Sequence, residues 1–118
     1  MFEFENIIRS ENGHVLSAHC RIDRASAFFE GHFEEHPLMP AAAQLEMIEA
    51  CIRSGQSGRI RIKGGRALKF VQQIQPADQI KLLFEYRNET MVNFVLQKED
   101  ASLASKGILT LTGETMDD

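Results

Sequence analysis

Cysteine is scarce in this chain. Cys20 and Cys51 are the two among 118 residues, too few for a disulfide framework, and they form neither a CxxC pair nor the quartet of a zinc site. Reduced thiols in a cytoplasmic protein are the expectation. Positive charge is also short. Thirteen Lys and Arg against seventeen Asp and Glu leave a net charge of −4, which argues against a duplex-binding protein that neutralises phosphates. Long apolar runs are missing as well. The amino-terminal MFEFENIIRSENG has acids among its apolar residues and no basic leader, and no later stretch approaches a membrane span. Without a repeat, a low-complexity tract or a composition break, the chain reads as one domain over 1–118 with a frayed TMDD end. A domain of this size buries roughly two-thirds of its unfolded surface and keeps little room for a deep private cavity. A sizeable pocket would then need a second subunit.

What is present is clear periodicity. Residues 2 to 9 and 15 to 22 read as two strands, with Phe2, Phe4 and Ile8 on one side of the first and Leu16, Ala18, Cys20 and Ile22 on one side of the second, joined by an Asn12-Gly13 turn. From Ala41 to about Ser54 the period becomes helical. Ala41, Leu45, Ile48 and Ile52 form one stripe and Ala43, Met47, Ala50 and Cys51 another, so the helix is mostly buried. Pro40 and Gly55 stand at its start and stop. Beyond it, 59–63, 66–74, 79–86, 91–97 and 103–112 alternate at period two and are expected as consecutive antiparallel strands joined by GG, QPAD, RNET and KEDA turns. One apolar helix has one sheet to bury against, which predicts an α+β fold with a curved antiparallel sheet wrapped around a long central helix.

Between the hairpin and the helix lies DRASAFFEGHFEEHPLMP, an irregular connection. It carries His32, and the helix carries Glu46 among Ala42, Ala43 and Ala50. An imidazole titrates near neutrality, and a carboxyl group with apolar neighbours favours its protonated form, so base and acid roles are separable. Either residue alone is more often structural: Glu46 facing a wet groove, His32 bonded to backbone. Glu49 and Arg53, four apart, read as a helix-surface pair. His14 and His19 read as incidental residues on opposite faces of a strand. The HFEEH run has the wrong spacing for a zinc helix, and Gly31 and Pro37 oppose a helix there. A block of Arg53, Arg59, Arg61, Lys63, Arg66 and Lys69 runs without an acid between 50 and 77; it is either a solvated strand face or a docking surface for an acidic carrier or a phosphate.

The stretch FFEGHFEEHPLMPAAAQLEM resembles the F-x-G-H-F-P-x-x-P-x-x-P-G-V-x-x-x-[ED] segment of the 3-hydroxyacyl-[acyl-carrier-protein] dehydratases of the FabA/FabZ type. LKFVQQIQPADQI is similar to their F-x-x-P-V-x-P-G-D strand and turn, with Phe70, Pro76 and Asp78 in register. The short chain, the PLMPAAAQLE run and the SKGILTL ending are closest to the small stand-alone aryl-polyene (ApeI-like) dehydratases. The resemblance implies the hot-dog fold and a homodimer, with a possible higher assembly of dimers, whose site joins a histidine of one subunit to a helix carboxylate of the other. It implies His32 as base, Glu46 as acid and the Ala41 backbone amide as oxyanion donor; Phe29, Gly31, Phe33, Leu45 and Phe70 are the substrate-binding candidates, the four apolar side chains lining the acyl channel or, equally, belonging to the core. No metal or redox cofactor is implied, because the substrate arrives on phosphopantetheine, and Arg59, Arg61, Lys63, Arg66 and Lys69 would meet its carrier protein. Glu34, Ala41, Ala50 and Gln73 depart from the family pattern at a proline, a glycine, a glutamine and a proline. A hot-dog thioesterase and a non-catalytic acyl or carrier binder remain the alternatives.

Overall fold

Period-two alternation builds the sheet, and a helical stripe of small and branched residues covers it. The computed structural model describes residues 2–22, 39–55 and 59–114. Within them the order is β1 (Phe4–Arg9), β2 (Val15–Arg21), α1 (Ala41–Gly55), β3 (Arg59–Phe70), β4 (Gln79–Tyr86), β5 (Met91–Lys98) and β6 (Leu103–Glu114). The six strands form one sheet in the order β1-β2-β4-β5-β6-β3, and every pair is antiparallel. No helix among the described residues is long and apolar enough to cross a membrane.

The core follows the register. Leu16 lies opposite Phe84, Phe84 opposite Phe94, and Phe94 opposite Gly107. The next row runs Ala18, Leu82, Leu96, Ser105. These residues are buried, and Met47, Ile48, Cys51 and Ile52 of α1 complete the same cluster. Burying each large side chain here contributes about 2 kcal/mol. Ala41, expected in a buried stripe, is exposed, and Leu45 is half-buried. The first turn of the helix sends Ala41 and Ala42 outward and buries Ala43 and Gln44.

Four expectations about the strands need correction. First, the strands after the helix are consecutive neighbours only from β4 to β6: β3 pairs with β6 instead of β4, and β4 returns to pair with β2. The connection 71–78 is long enough to cross the sheet, which a hairpin turn is not. Second, 59–63 and 66–74 are not two strands. Gly64 and Gly65 continue a single β3, bent by register shifts at Ile62/Gly64 and Arg66/Lys69 with Ala67 at φ 53°, as two-against-one bulges bend a strand. It ends at Phe70, because the N–H groups of Val71 and Gln72 both turn to the Ala104 carbonyl, at 2.8 and 3.1 Å. Third, Ile8 does not share a face with Phe4. A bulge between Glu5 and Ile8, with Asn6 at φ 52°, turns Ile8 outward, 62% exposed, and aims Arg9 at the helix end, where Nη1 donates to the Gly55 carbonyl at 3.2 Å. Fourth, His14 precedes β2, its N–H held by Asn12 Oδ1 at 2.9 Å; His19 sits on β2 opposite Lys81.

The QPAD turn ties the far end together. The Asp78 N–H donates to the Gln75 carbonyl at 3.1 Å across Pro76 and Ala77, and Ala77 takes φ 73°, a type II geometry that usually holds glycine. Asp78 Oδ2 accepts the Gln75 N–H at 2.9 Å and pairs with Lys98 at 3.2 Å. The Ala77 N–H and Asp78 carbonyl bond to Ile22 at 2.8 and 2.9 Å, so the turn closes the end of β2.

Candidate active site

Among the described residues, nothing accepts the first amides of α1. The Pro40 carbonyl accepts the Gln44 N–H at 3.0 Å, which makes Pro40 the N-cap. Its ring offers no acceptor, and the first turn holds no acid. The amides of Ala41, Ala42 and Ala43 therefore have no intrahelical partner and present partial positive charge. Ala41 is exposed, as an oxyanion donor must be. Its backbone is not among those with positive φ, so alanine in place of glycine brings no strain there. The approach is fixed from the side by the Met39 N–H, which donates to the Ile74 carbonyl at 2.8 Å.

Glu46 lies one turn further on, and it is exposed rather than enclosed by apolar groups. It shares a helix face with Ala42, Glu49 and Arg53, by spacings of three and four. That face follows β3. Glu49 and Arg53 are not merely a surface pair: besides their own contact at 3.1 Å, Glu49 Oε2 accepts the Ile62 N–H at 2.8 Å and Arg53 Nε donates to the Ile60 carbonyl at 2.8 Å. β3 is the last strand of the sheet, and these two side chains occupy backbone groups that would otherwise lie bare at its edge. Moving toward the helix start means moving up β3, and Glu46 is the next residue on that face. A side chain at Gly64 would meet nothing within 4 Å. Among the described residues, Glu46 is thus an exposed carboxylate on the helix face that follows the last strand of the sheet.

The remaining sequence candidates divide. Phe70 is 41% exposed at the end of β3; it lies opposite inward-facing Ser105, so it belongs to the open end of the concave face. Leu45 packs against the core from a half-buried position. Ala50 is half-buried and Gln73 exposed. His32, Phe29, Gly31 and Phe33, with Glu34 and the HFEEH run, lie outside the described residues. Arg59, Arg61, Lys63, Arg66 and Lys69 are all exposed. Arg66 and Lys69 face away from the helix, opposite Ile108 and Lys106. Lys106 extends this cationic row and was not legible in the sequence, because it is thirty-seven residues from its neighbour Lys69.

The thiols do not serve this site. Both cysteines are buried and free. Burial pushes Cys20 up to about 11 and, with a smaller contribution from the nearby Cys20, pushes Cys51 up to about 12. Neutral buried thiols are poor nucleophiles at pH 7.

A helix start with free amides, a carboxylate one turn further on and an antiparallel sheet make up the candidate site, and comparison with known proteins decides its family. The sequence profile of the ApeI-like family, the ApeI dehydratases, matches residues 8–108. The chain belongs to the ApeI-like dehydratase family. This ApeI-like chain is 31% identical over 85 residues to the 3-hydroxyacyl-[acyl-carrier-protein] dehydratase FabZ of Ruminiclostridium cellulolyticum, covering 66% of this chain and 60% of that protein. It is 25% identical over 119 residues to the FabZ of Bacillus subtilis, covering 95% and 78%. Among solved structures, the dehydratase heterocomplex ApeI:P from Xenorhabdus doucetiae superposes with a TM-score of 0.80 at 19% identity, covering 94% of this chain and 97% of that one. The ApeI-like chain has the hot-dog fold.

Proposed function

We infer that this chain, as a 3-hydroxyacyl-[acyl-carrier-protein] dehydratase, removes water from a 3-hydroxyacyl thioester to give the trans-2-enoyl thioester, at a site shared between two copies. The observation that carries the reading is Glu46, exposed on the helix face that runs along the unpaired edge of β3. In the single chain this carboxylate is exposed. A second copy laid against the same edge covers that face and brings its own loop to the carboxylate. Glu49 and Arg53 occupy the Ile60–Ile62 part of the edge, which leaves the Gly64–Phe70 half for the partner. A long edge strand without a cover is a hazard that folded proteins avoid.

The chemistry divides among three groups. His32 removes the proton next to the carbonyl, Glu46 of the other copy gives a proton to the departing hydroxyl, and the Ala41 amide takes the charge that develops on the thioester oxygen. One proton is accepted and one donated, so the elimination balances without a cofactor. A positioned acid or base supplies roughly 10²- to 10⁴-fold, and an oxyanion donor about 3 kcal/mol. The substrate rides on phosphopantetheine, and the row of Arg59, Arg61, Lys63, Arg66, Lys69 and Lys106 receives the acidic carrier. Charge complementarity of this kind raises the association rate more than the strength of the final complex.

The test is turnover of a purified 3-hydroxyacyl thioester by His32→Ala and Glu46→Gln. Each is expected to lose roughly 10²-fold or more in kcat. Co-expression of the two variants is expected to restore about a quarter of wild-type activity, because half of a random mixture is mixed dimers with one intact site each. No restoration would place both groups in one subunit, and near-full activity of either single variant would overturn its assignment. Release of free thiol in place of an enoyl thioester would mean hydrolysis, and binding without turnover a carrier or acyl-chain binder.

A further inference from the structure

The helix buries one polar side chain where an apolar one would pack better. Gln44 is 3% exposed. Its Nε2 donates to the Met39 carbonyl at 3.4 Å, while its Oε1, equally enclosed, has no hydrogen-bond partner among the described residues. A buried acceptor without a partner costs stability, and an apolar side chain of the same volume would avoid that cost. Its place in the helix explains the exception. With Pro40 as N-cap, Met39 and Gln44 hold the N′ and N4 positions, where two apolar side chains commonly pack and fix the angle at which the chain enters a helix. Met39 is apolar and buried, but its neighbour at N4 is an amide that reaches back to the Met39 carbonyl. The same residue's N–H is held by the Ile74 carbonyl at 2.8 Å. The residue before the Pro40-Ala41 peptide is thus tied at both its amide and its carbonyl, once to the β3–β4 connection and once to the helix. Among unbranched, ring-free side chains, the neutral donor long enough to reach back from N4 is an amide, and the idle oxygen comes with it.

We propose that Gln44 is a positioning residue for the dehydration. It holds the peptide turn whose next N–H, that of Ala41, receives the developing charge of the thioester oxygen, and it does so at the expense of fold stability. This rests on the dehydratase reading of the site. An anchor of this kind acts on the transition state more than on substrate binding, since the oxyanion forms only as the proton leaves.

The experiment compares Gln44→Met and Gln44→Leu with the wild type in three measurements: melting temperature, kcat and KM on a soluble 3-hydroxyacyl thioester, and hydrogen exchange of the amides of residues 39 and 44, which are hydrogen-bonded to the Ile74 and Pro40 carbonyls. Both variants are expected to melt no lower than the wild type, to lose roughly ten- to a hundredfold in kcat with KM within about twofold, and to exchange these amides faster. Retained kcat overturns the proposal. A fall in melting temperature alongside kcat in both variants overturns it too, since Gln44 would then be a packing residue. A wild-type protein without turnover would sink the dehydratase reading instead, and amide exchange would still decide whether Gln44 holds the turn.

Discussion

Adding one methyl group at Gly107 should be costly, and the structure says how costly. Gly107 lies on β6 opposite Phe94, and a Cβ built there would stand 2.4 Å from Leu68 Cδ2, 2.8 Å from Phe94 Cε2 and 3.2 Å from the Leu68 Cα. The end of the Leu68 side chain can swing away. Phe94 cannot, because it is 1% exposed and packed on all sides, and the Leu68 Cα is backbone. Gly107→Ala therefore forces β3 away from β6 or displaces Phe94, and overpacking of this kind costs about 2 to 3 kcal/mol. With an unfolding entropy of about 2.1 cal/mol/K per residue, that is a drop of roughly 8 to 12 °C in melting temperature. Calorimetry at one fixed protein concentration measures it, since any dimer makes melting concentration-dependent. Leu68→Ala in the same chain should recover part of the loss, so the double variant should be less destabilised than the two single changes added together. A Gly107→Ala protein within about 0.5 kcal/mol of wild type would refute the reasoning. So would strict additivity with Leu68→Ala. Because Phe70 ends the same strand, kcat should fall as well.

Ala77→Gly should stabilise the protein by about 1 kcal/mol, because φ 73° strains a residue with a Cβ while the added backbone freedom offsets part of the gain; a lower melting temperature would contradict the turn geometry. The two thiols should contribute to alkaline unfolding. Their folded values, about 11 for Cys20 and about 12 for Cys51, lie above the unfolded value of 9.0, so the unfolded chain releases protons first and stability present below pH 9 is lost as pH rises through 11 to 12. Melting temperature between pH 8 and 11 should decline less steeply in Cys20→Ala and Cys51→Ala, whatever their stability at pH 8. Glu49→Gln should weaken the clamp on the Ile62 N–H without touching the reaction, seen as faster exchange of that amide with kcat unchanged to within about twofold. Changing Arg59, Arg61 and Lys63 to Glu should weaken capture of the carrier-borne substrate more than use of a small thioester mimic, and the difference should shrink in high salt; equal loss on both would reject docking.

The helix was legible because Pro40, Gly55 and a run of apolar spacings agree, and Glu46 stood out as a carboxylate among alanines. Loop and helix motifs named the chemistry through resemblance, since residue types at fixed separations survive in the sequence. Other features were hidden by local rules. Gly64-Gly65 has the composition of a turn, yet it continues β3, because β6 supplies partners on both sides of the bend. Ile8 fits the period of Phe4, yet the bulge at Asn6 inverts it. Glu49 and Arg53 have the spacing of a solvent pair, yet their heads bond β3 backbone. Gln44 breaks the apolar stripe without any neighbour in sequence to explain it.

By itself the sequence determined what each segment is: a buried helix, period-two strands, an acid poised near a helix start, reduced thiols and no excess of positive charge. Those are properties of neighbours along the chain, set by spacing and side-chain chemistry. The tertiary structure alone decided which strand lies beside which, that β3 is left at the edge with the helix face of Glu49 and Arg53 along it, and that Lys69 and Lys106 share a surface. Pairing between distant strands is chosen by closure of the whole sheet around one helix, and no window of sequence contains that sum.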